Sequence, residues 1–338
     1  MGNRDKNIDY LRFIGISLII LAHVSAPLAL QQLRCFDVPL MIFITGLTAS
    51  KKTVSNYREY IWKRASRLLI PVYIFLTLFF LTLFIIQSLG DYSIGYLNSK
   101  KILHSFLLLE GIGYVWIIRV FLLLGIVTPL IVKFEKYCKN NIVYGCICIA
   151  TSLINDLILR MHLTLPGGKY VNIFFTEFVM FLIGYIPLFM LGLRMRFATK
   201  GDIKKYTFFI LLYFIIALFT YLTKHGFPII ISPSYKYPPQ AYFIIYGAVA
   251  SSTLWLIKDA INKVICCLKL SSLAMFIGEN TIWIYLWHIP FVLYLCPLIE
   301  EWYLKYLVVY SSAVIVFAIQ HYIVRKINQK TITKYFLG

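Results

Sequence analysis

Ten apolar segments, most of them long enough to cross a bilayer, follow one another along the chain with short polar breaks between them. They are Ile8–Leu30, Phe36–Ala49, Leu69–Leu89, Val115–Val132, Ile142–Leu159, Ile173–Leu193, Tyr206–Thr223, Ala241–Ile257, Leu273–Pro297 and Tyr303–Val324. A helix crosses the hydrocarbon core with about 20 apolar residues. In lipid the backbone N–H and C=O groups must be satisfied inside the protein, which the α-helix does within a single segment. The pattern therefore predicts an all-α fold, a polytopic transmembrane helical bundle of about ten spans. The second segment is short, which leaves open a start before Phe36 or a tilted path. Of the 338 residues, 60% are hydrophobic and 14% charged, so no stretch is left over for a separate soluble module. The expectation is one membrane domain, residues 1–338.

Charge gives this bundle a direction. With the N-terminus in the cytoplasm, 23 of the 33 lysines and arginines fall in inner segments and 8 in outer ones, with Arg12 and Arg119 inside spans. Cytoplasmic loops are the ones that carry excess Lys and Arg, so the reading is N-in and C-in with an even number of spans. The same rule accounts for the net charge of +19. No basic arm interleaved with aromatics stands outside the apolar segments, so nucleic acid is set aside as a partner and the lipid bilayer is the expected one. Seven cysteines show no CxxC and lie mostly in or beside apolar segments, where free thiols act as small hydrophobes. No metal-ligand spacing is present. The segment before Ile8 lacks a small-residue cleavage site, so the first span is expected to be retained.

Within this apolar frame a few polar residues stand out. Arg12 and His23 are eleven residues apart in the first segment. On one continuous helix they share a stripe, offset by roughly 20° and about 16 Å apart along the axis. Ionisable groups inside a membrane face protein or water, and imidazole titrates close enough to neutrality to serve as a general base. Asp9, three residues before Arg12, can pair with it. Arg64 and Arg67, also three apart, share a face on the inner side. Arginine's fixed fork of donors suits a phosphate clamp there, although basic inner loops also simply obey the charge rule. Arg119 needs a partner in the membrane, with Glu177 and Asp37 at comparable depth. It reads equally as one half of an ion pair or as a stabiliser of a developing oxyanion. His288 precedes Pro290 near the outer end of the ninth segment and reads as a histidine bonded inside a kink or as an acceptor contact. Tyr235 and Tyr237, in a long proline-rich outer loop, offer a stacking face for a sugar ring. His104, His162, His225 and His321 read as structural.

Taken in order, these residues resemble a known family. Asp9-Tyr-Leu-Arg12 followed after ten residues by His23 is similar to the arginine–x10–histidine signature of the acyltransferase-3 family of bacterial membrane acyltransferases. Val38-Pro-Leu-Met-Ile-Phe-Ile-Thr-Gly46 resembles its second-helix pattern, and Lys63-Arg64-x-x-Arg67-x-x-x-Pro71 its basic inner-loop motif. Tyr114-Val-Trp116-Ile-Ile-Arg119 resembles its fourth-helix motif, with Ile117-Ile118 where Phe-Leu is more usual. Tyr237-Pro-Pro239 and Tyr285-Leu-Trp-His288-Ile-Pro290 resemble patterns late in the family.

The resemblance implies an acyl-CoA-dependent O-acyltransferase of the bacterial cytoplasmic membrane. Such enzymes move an acyl group, often acetyl, to a hydroxyl of an extracytoplasmic or lipid-linked saccharide. Acyl-CoA is then a co-substrate, and no cofactor or metal is held permanently. Residue by residue, the resemblance casts His23 as general base, Arg12, near the inner mouth, as a donor-holding residue, and Arg64 and Arg67 as the phosphate clamp. Arg119, His288 and Tyr237 become transition-state or acceptor contacts. A transient acyl-histidine is a variant of the same chemistry. Some members carry an extracytoplasmic esterase-like domain; none is read in residues 1–338, so transfer is expected to finish in the membrane domain. The competing class is a transporter or flippase of a lipid-linked sugar or small solute. It accounts for the spans and the intramembrane charges, but less well for the Arg64/Arg67 motif.

Overall fold

The structure is a computed structural model, and it describes residues 5–49, 56–90, 94–161, 165–225, 235–327, 329, 333 and 335–337. His162 and most of the long outer loop, 226–234, lie outside them. Among the described residues the chain is helical throughout, with no strand beyond an isolated bridge between Lys236 and Pro239. Eight helical stretches among the described residues are long and apolar enough to cross a membrane, nine if a pair bent by 64° is counted as one span.

The first segment is broken where one helix was expected. Helix α1 spans Lys6–Ala22. A turn follows at 23–25, with Ser25 at a positive φ of 55°. Helix α2 (Leu28–Leu33) and, after another turn, α3 (Asp37–Thr48) then form a candidate span over Leu28–Thr48. The cause is legible in the residues. Pro27 has no N–H, its ring would strike the carbonyl of His23 in a continued helix, and it disfavours helical geometry at Ala26. The single helix expected from Ile8 to Leu30 thus ends at Ala22, and His23 is the first residue past the end of α1.

Helix α4 (Tyr57–Leu89) is the longest, at 33 residues. Asn56 caps it, its side chain accepting from Glu59 N. At 1.5 Å per residue it extends about 50 Å, well beyond a hydrocarbon core of about 30 Å. Its basic residues, Arg58, Lys63, Arg64 and Arg67, all lie in its first turns. The chain continues through α5 (Ser99–Phe106), α6 (Trp116–Tyr137), α7 (Asn141–Arg160) and α8 (Gly168–Phe174). A π-helical turn, Phe175–Met180, leads into α9 (Phe181–Met195), which α10 (Lys200–His225) follows. Helix α11 (Ala241–Leu256) bends into α12 (Lys258–Cys267), and α13 (Ser271–Glu279), α14 (Thr281–Tyr294) and α15 (Trp302–Ile327) complete the set.

The chain divides into two compact units. The first comprises Met1–Ala22, Pro27–Thr53 and Val127–Gly278; the second comprises His23–Ala26, Val54–Ile126 and Glu279–Gly338. In the first, α3 and α9 cross at their glycines. A Cβ added to Gly46 would land on the Phe189 carbonyl, and one added to Gly192 on the Phe43 carbonyl. Small residues let membrane helices approach backbone to backbone, where packing rather than a hydrophobic force drives association. Leu11, Leu40, Phe43, Leu47, Met195 and Trp255 fill the core around that crossing. In the second unit, Phe75 of α4 packs edge-on to Trp287 of α14 with centroids 5.8 Å apart. Trp287 Nε1 donates to Gln320 Oε1 of α15 at 2.6 Å.

Candidate active site

The second unit gathers the polar residues that could do chemistry. His23 enters it from the turn that Pro27 enforces. His288 enters it from the middle of α14, where it is fully buried. His288 Nε2 lies 3.3 Å from His23 Nδ1, and the rings are stacked at 29° with centroids 5.2 Å apart. On the other side of His288, Nδ1 meets the backbone carbonyl of Tyr285, one turn earlier. The carbonyl that Pro290 leaves without its helical donor is that of Leu286, so the kink is not what holds this histidine.

Tyr114 closes the cluster. Its ring stands edge-on to His23 at 4.9 Å and 73°, and to His288 at 6.0 Å and 88°. Its backbone carbonyl accepts from the Tyr285 hydroxyl. Tyr285 thus holds His288 with its carbonyl and the Tyr114 segment with its hydroxyl. Burial, reinforced by Tyr96 and Cys296, pushes the Tyr114 phenol up to about 12.

Residues 107–115, which present Tyr114, are tightly built. Arg119, 1% exposed, donates from Nη1 to the Leu108 carbonyl at 3.1 Å. Ile112 N donates to Ser105 Oγ at 3.0 Å. Gly111 has a positive φ of 39°, and a Cβ there would sit 2.5 Å from Ser105 N. Only glycine fits both that backbone and that space. Arg119 therefore grips the segment beside the histidines.

The other residues expected to act are distributed as follows. Arg64 and Arg67 stand in the first turns of α4, in the second unit. The stem of Arg64 lies over Gly125 of α6, with Cγ 3.0 Å from where a Cβ would be, while Arg67 is exposed. Arg12 belongs to the first unit, where it pairs with buried Asp9 at 3.0 Å as its spacing suggests. Asp37, offered by sequence as a partner for Arg119, is ion-paired with Arg34 at i,i+3. Tyr237 also belongs to the first unit and is half-exposed. The segment that follows it is fixed by α7, through Asn155 Nδ2 donating to the Pro239 carbonyl and Asp156 Oδ1 accepting from Ala241 N. All seven cysteines are free thiols.

Sequence reasoning passed over Tyr114 and Tyr285 as site residues. Both stood in the motifs that carried the resemblance. The three-residue spacing of Tyr285 and His288 on a helix was the available signal, since it places one turn's carbonyl beside the next turn's side chain.

No curated protein and no solved structure matches the chain. A family model described as an acyltransferase domain matches residues 5–323, nearly the whole length. The chain belongs to the acyltransferase-3 family of membrane proteins.

Proposed function

We propose that this acyltransferase moves an acetyl group from cytoplasmic acetyl-CoA to a hydroxyl of an extracytoplasmic or lipid-linked saccharide, with His23 as general base. The observation that carries the reading is the paired, ring-enclosed histidine cluster in a chain of this family. The acceptor hydroxyl gives its proton to the His23 imidazole as its oxygen bonds to the thioester carbonyl carbon. The tetrahedral intermediate collapses, the C–S bond breaks, and the departing thiolate takes the proton back from the imidazolium. General-base assistance of this kind is worth about 10²–10⁴-fold. Arg64 and Arg67 hold phosphates of CoA, Arg12 holds the donor, and Tyr237 contacts the acceptor. Arg119 positions the segment that carries Tyr114. The protein sits in the bacterial cytoplasmic membrane with both termini inside, a reading supported by the loop charges.

The test is transfer by purified protein in lipid nanodiscs, followed as release of CoA thiol. His23→Ala is expected to lose at least about 10²-fold in rate while acetyl-CoA still raises its melting temperature. Transfer by His23→Ala at the wild-type rate would end the reading. Mass spectrometry of surface glycans from cells with and without the gene identifies the acceptor by an acetyl-sized difference.

A further inference from the structure

The two histidines share one hydrogen-bond register, and its far end is fixed by the backbone. The carbonyl of Tyr285 can only accept, so the His288 nitrogen that meets it, Nδ1, carries the hydrogen. His288 is wholly buried on a helix of apolar residues, a setting in which a neutral imidazole costs far less to bury than a charged one. A neutral imidazole with hydrogen on Nδ1 has its lone pair on Nε2. That lone pair faces His23 Nδ1 at 3.3 Å. Two lone pairs cannot form this bond, so His23 Nδ1 is the donor, and Nε2 is the His23 nitrogen left with a lone pair.

We propose that His288 is a positioning residue that sets the tautomer of His23, making Nε2 the atom that takes the acceptor's proton. The proposal rests on the acyl-transfer reading above and adds to it the route of the proton. The acceptor O–H proton goes to His23 Nε2 while Nδ1–H remains donated to His288. When the thioester C–S bond breaks, the same proton leaves Nε2 for the thiolate sulfur. His288 keeps its own hydrogen throughout and exchanges none with the substrate. This is the service a buried carboxylate gives in serine hydrolases, where it orients the base without itself being protonated. Here an uncharged acceptor gives it, on an apolar helix where a lone carboxylate would be costly to bury. Tyr114 and Tyr285 complete the device by fixing the ring planes, the first from the edge and the second from below through the carbonyl.

Two measurements test this. In wild-type protein labelled with ¹⁵N-histidine, His23 at rest is expected to show a protonated Nδ1 and an unprotonated Nε2. The reverse tautomer overturns the proposal. In transfer assays His288→Leu, which cannot accept a hydrogen bond, is expected to lower kcat by on the order of 10²-fold with KM for acetyl-CoA within about threefold. His288→Gln, whose amide oxygen can accept from Nδ1–H, is expected to recover most of that loss. A wild-type kcat in His288→Leu, or equal losses in the two variants with both still stabilised by acetyl-CoA, also overturns it. If His288→Leu does not fold, the labelled wild-type protein decides alone. Failure here leaves His23→Ala inactive, whereas failure of the acyl-transfer reading leaves His23→Ala active, so the two are distinguishable.

Discussion

Tyr285 contributes to the site at two points, so its two halves can be separated by mutation. Tyr285→Phe removes the hydroxyl that holds the Tyr114 carbonyl and keeps the carbonyl that fixes His288. It is expected to lower kcat by about 10-fold, the size of a lost hydrogen bond of roughly 1.4 kcal/mol, with the His23 tautomer unchanged by ¹⁵N spectroscopy. Tyr114 itself is kept neutral, since burial raises its phenol to about 12 from an ordinary 10. A raised acid holds its proton to higher pH, so what Tyr114 contributes to stability is intact below pH 10 and is lost between about 10 and 12. The rate profiles of wild type and Tyr114→Phe are therefore expected to keep the same shape from pH 7 to 9. At this scale the sequence disclosed which residues were out of place: His23 and His288 were legible as polar side chains in apolar segments. Their meeting was not, because 265 residues separate them and no local pattern encodes that contact.

At the scale of elements, composition and spacing located most helices but misjudged their ends. Pro27 stood in plain view, yet the apolar run around it read as one span of Ile8–Leu30, and α1 stops at Ala22. Hydropathy averages across a break that backbone sterics impose. Close packing is equally invisible to hydropathy, as the crossing of α3 and α9 shows. Gly46 and Gly192 each abut the other helix's carbonyl, so a side chain at either must push the helices apart. Gly46→Leu and Gly192→Leu are expected to cost more than the 1–3 kcal/mol typical of overpacking, read as a lowered melting temperature and loss of the monodisperse peak on size-exclusion chromatography. Gly145→Ala is the control. Nothing lies within 4 Å of its added Cβ on α7, so it is expected to leave melting unchanged or slightly raised.

For the whole molecule, the apolar succession specified an all-helical membrane protein, and the ordered motifs specified the family that matches residues 5–323. The two compact units were not legible, because each is assembled from segments far apart in the chain and the boundary falls between Ala22 and His23. A ligand that binds only the folded state stabilises all of it, by about 2.7 kcal/mol at a hundred times its Kd. Acetyl-CoA is expected to raise the melting temperature of the wild type in detergent. Arg64→Ala, which removes the side chain whose stem lies over Gly125, is expected to abolish most of that rise, while Lys305→Ala, in the first turn of α15, is expected to keep it.

The carbonyl beneath His288 also bears on the membrane's own electrical seal. A backbone oxygen accepts a hydrogen bond but does not take up a proton and hand it on. A string of imidazoles crossing a bilayer would be a wire for protons, and each turnover would risk draining the transmembrane gradient. Here the path from His23 through His288 ends on the amide of Tyr285. In the proposed reaction, a proton taken up by His23 finds no onward path past that carbonyl. On the proposed reading, the Tyr285 carbonyl closes this route to protons from the membrane gradient.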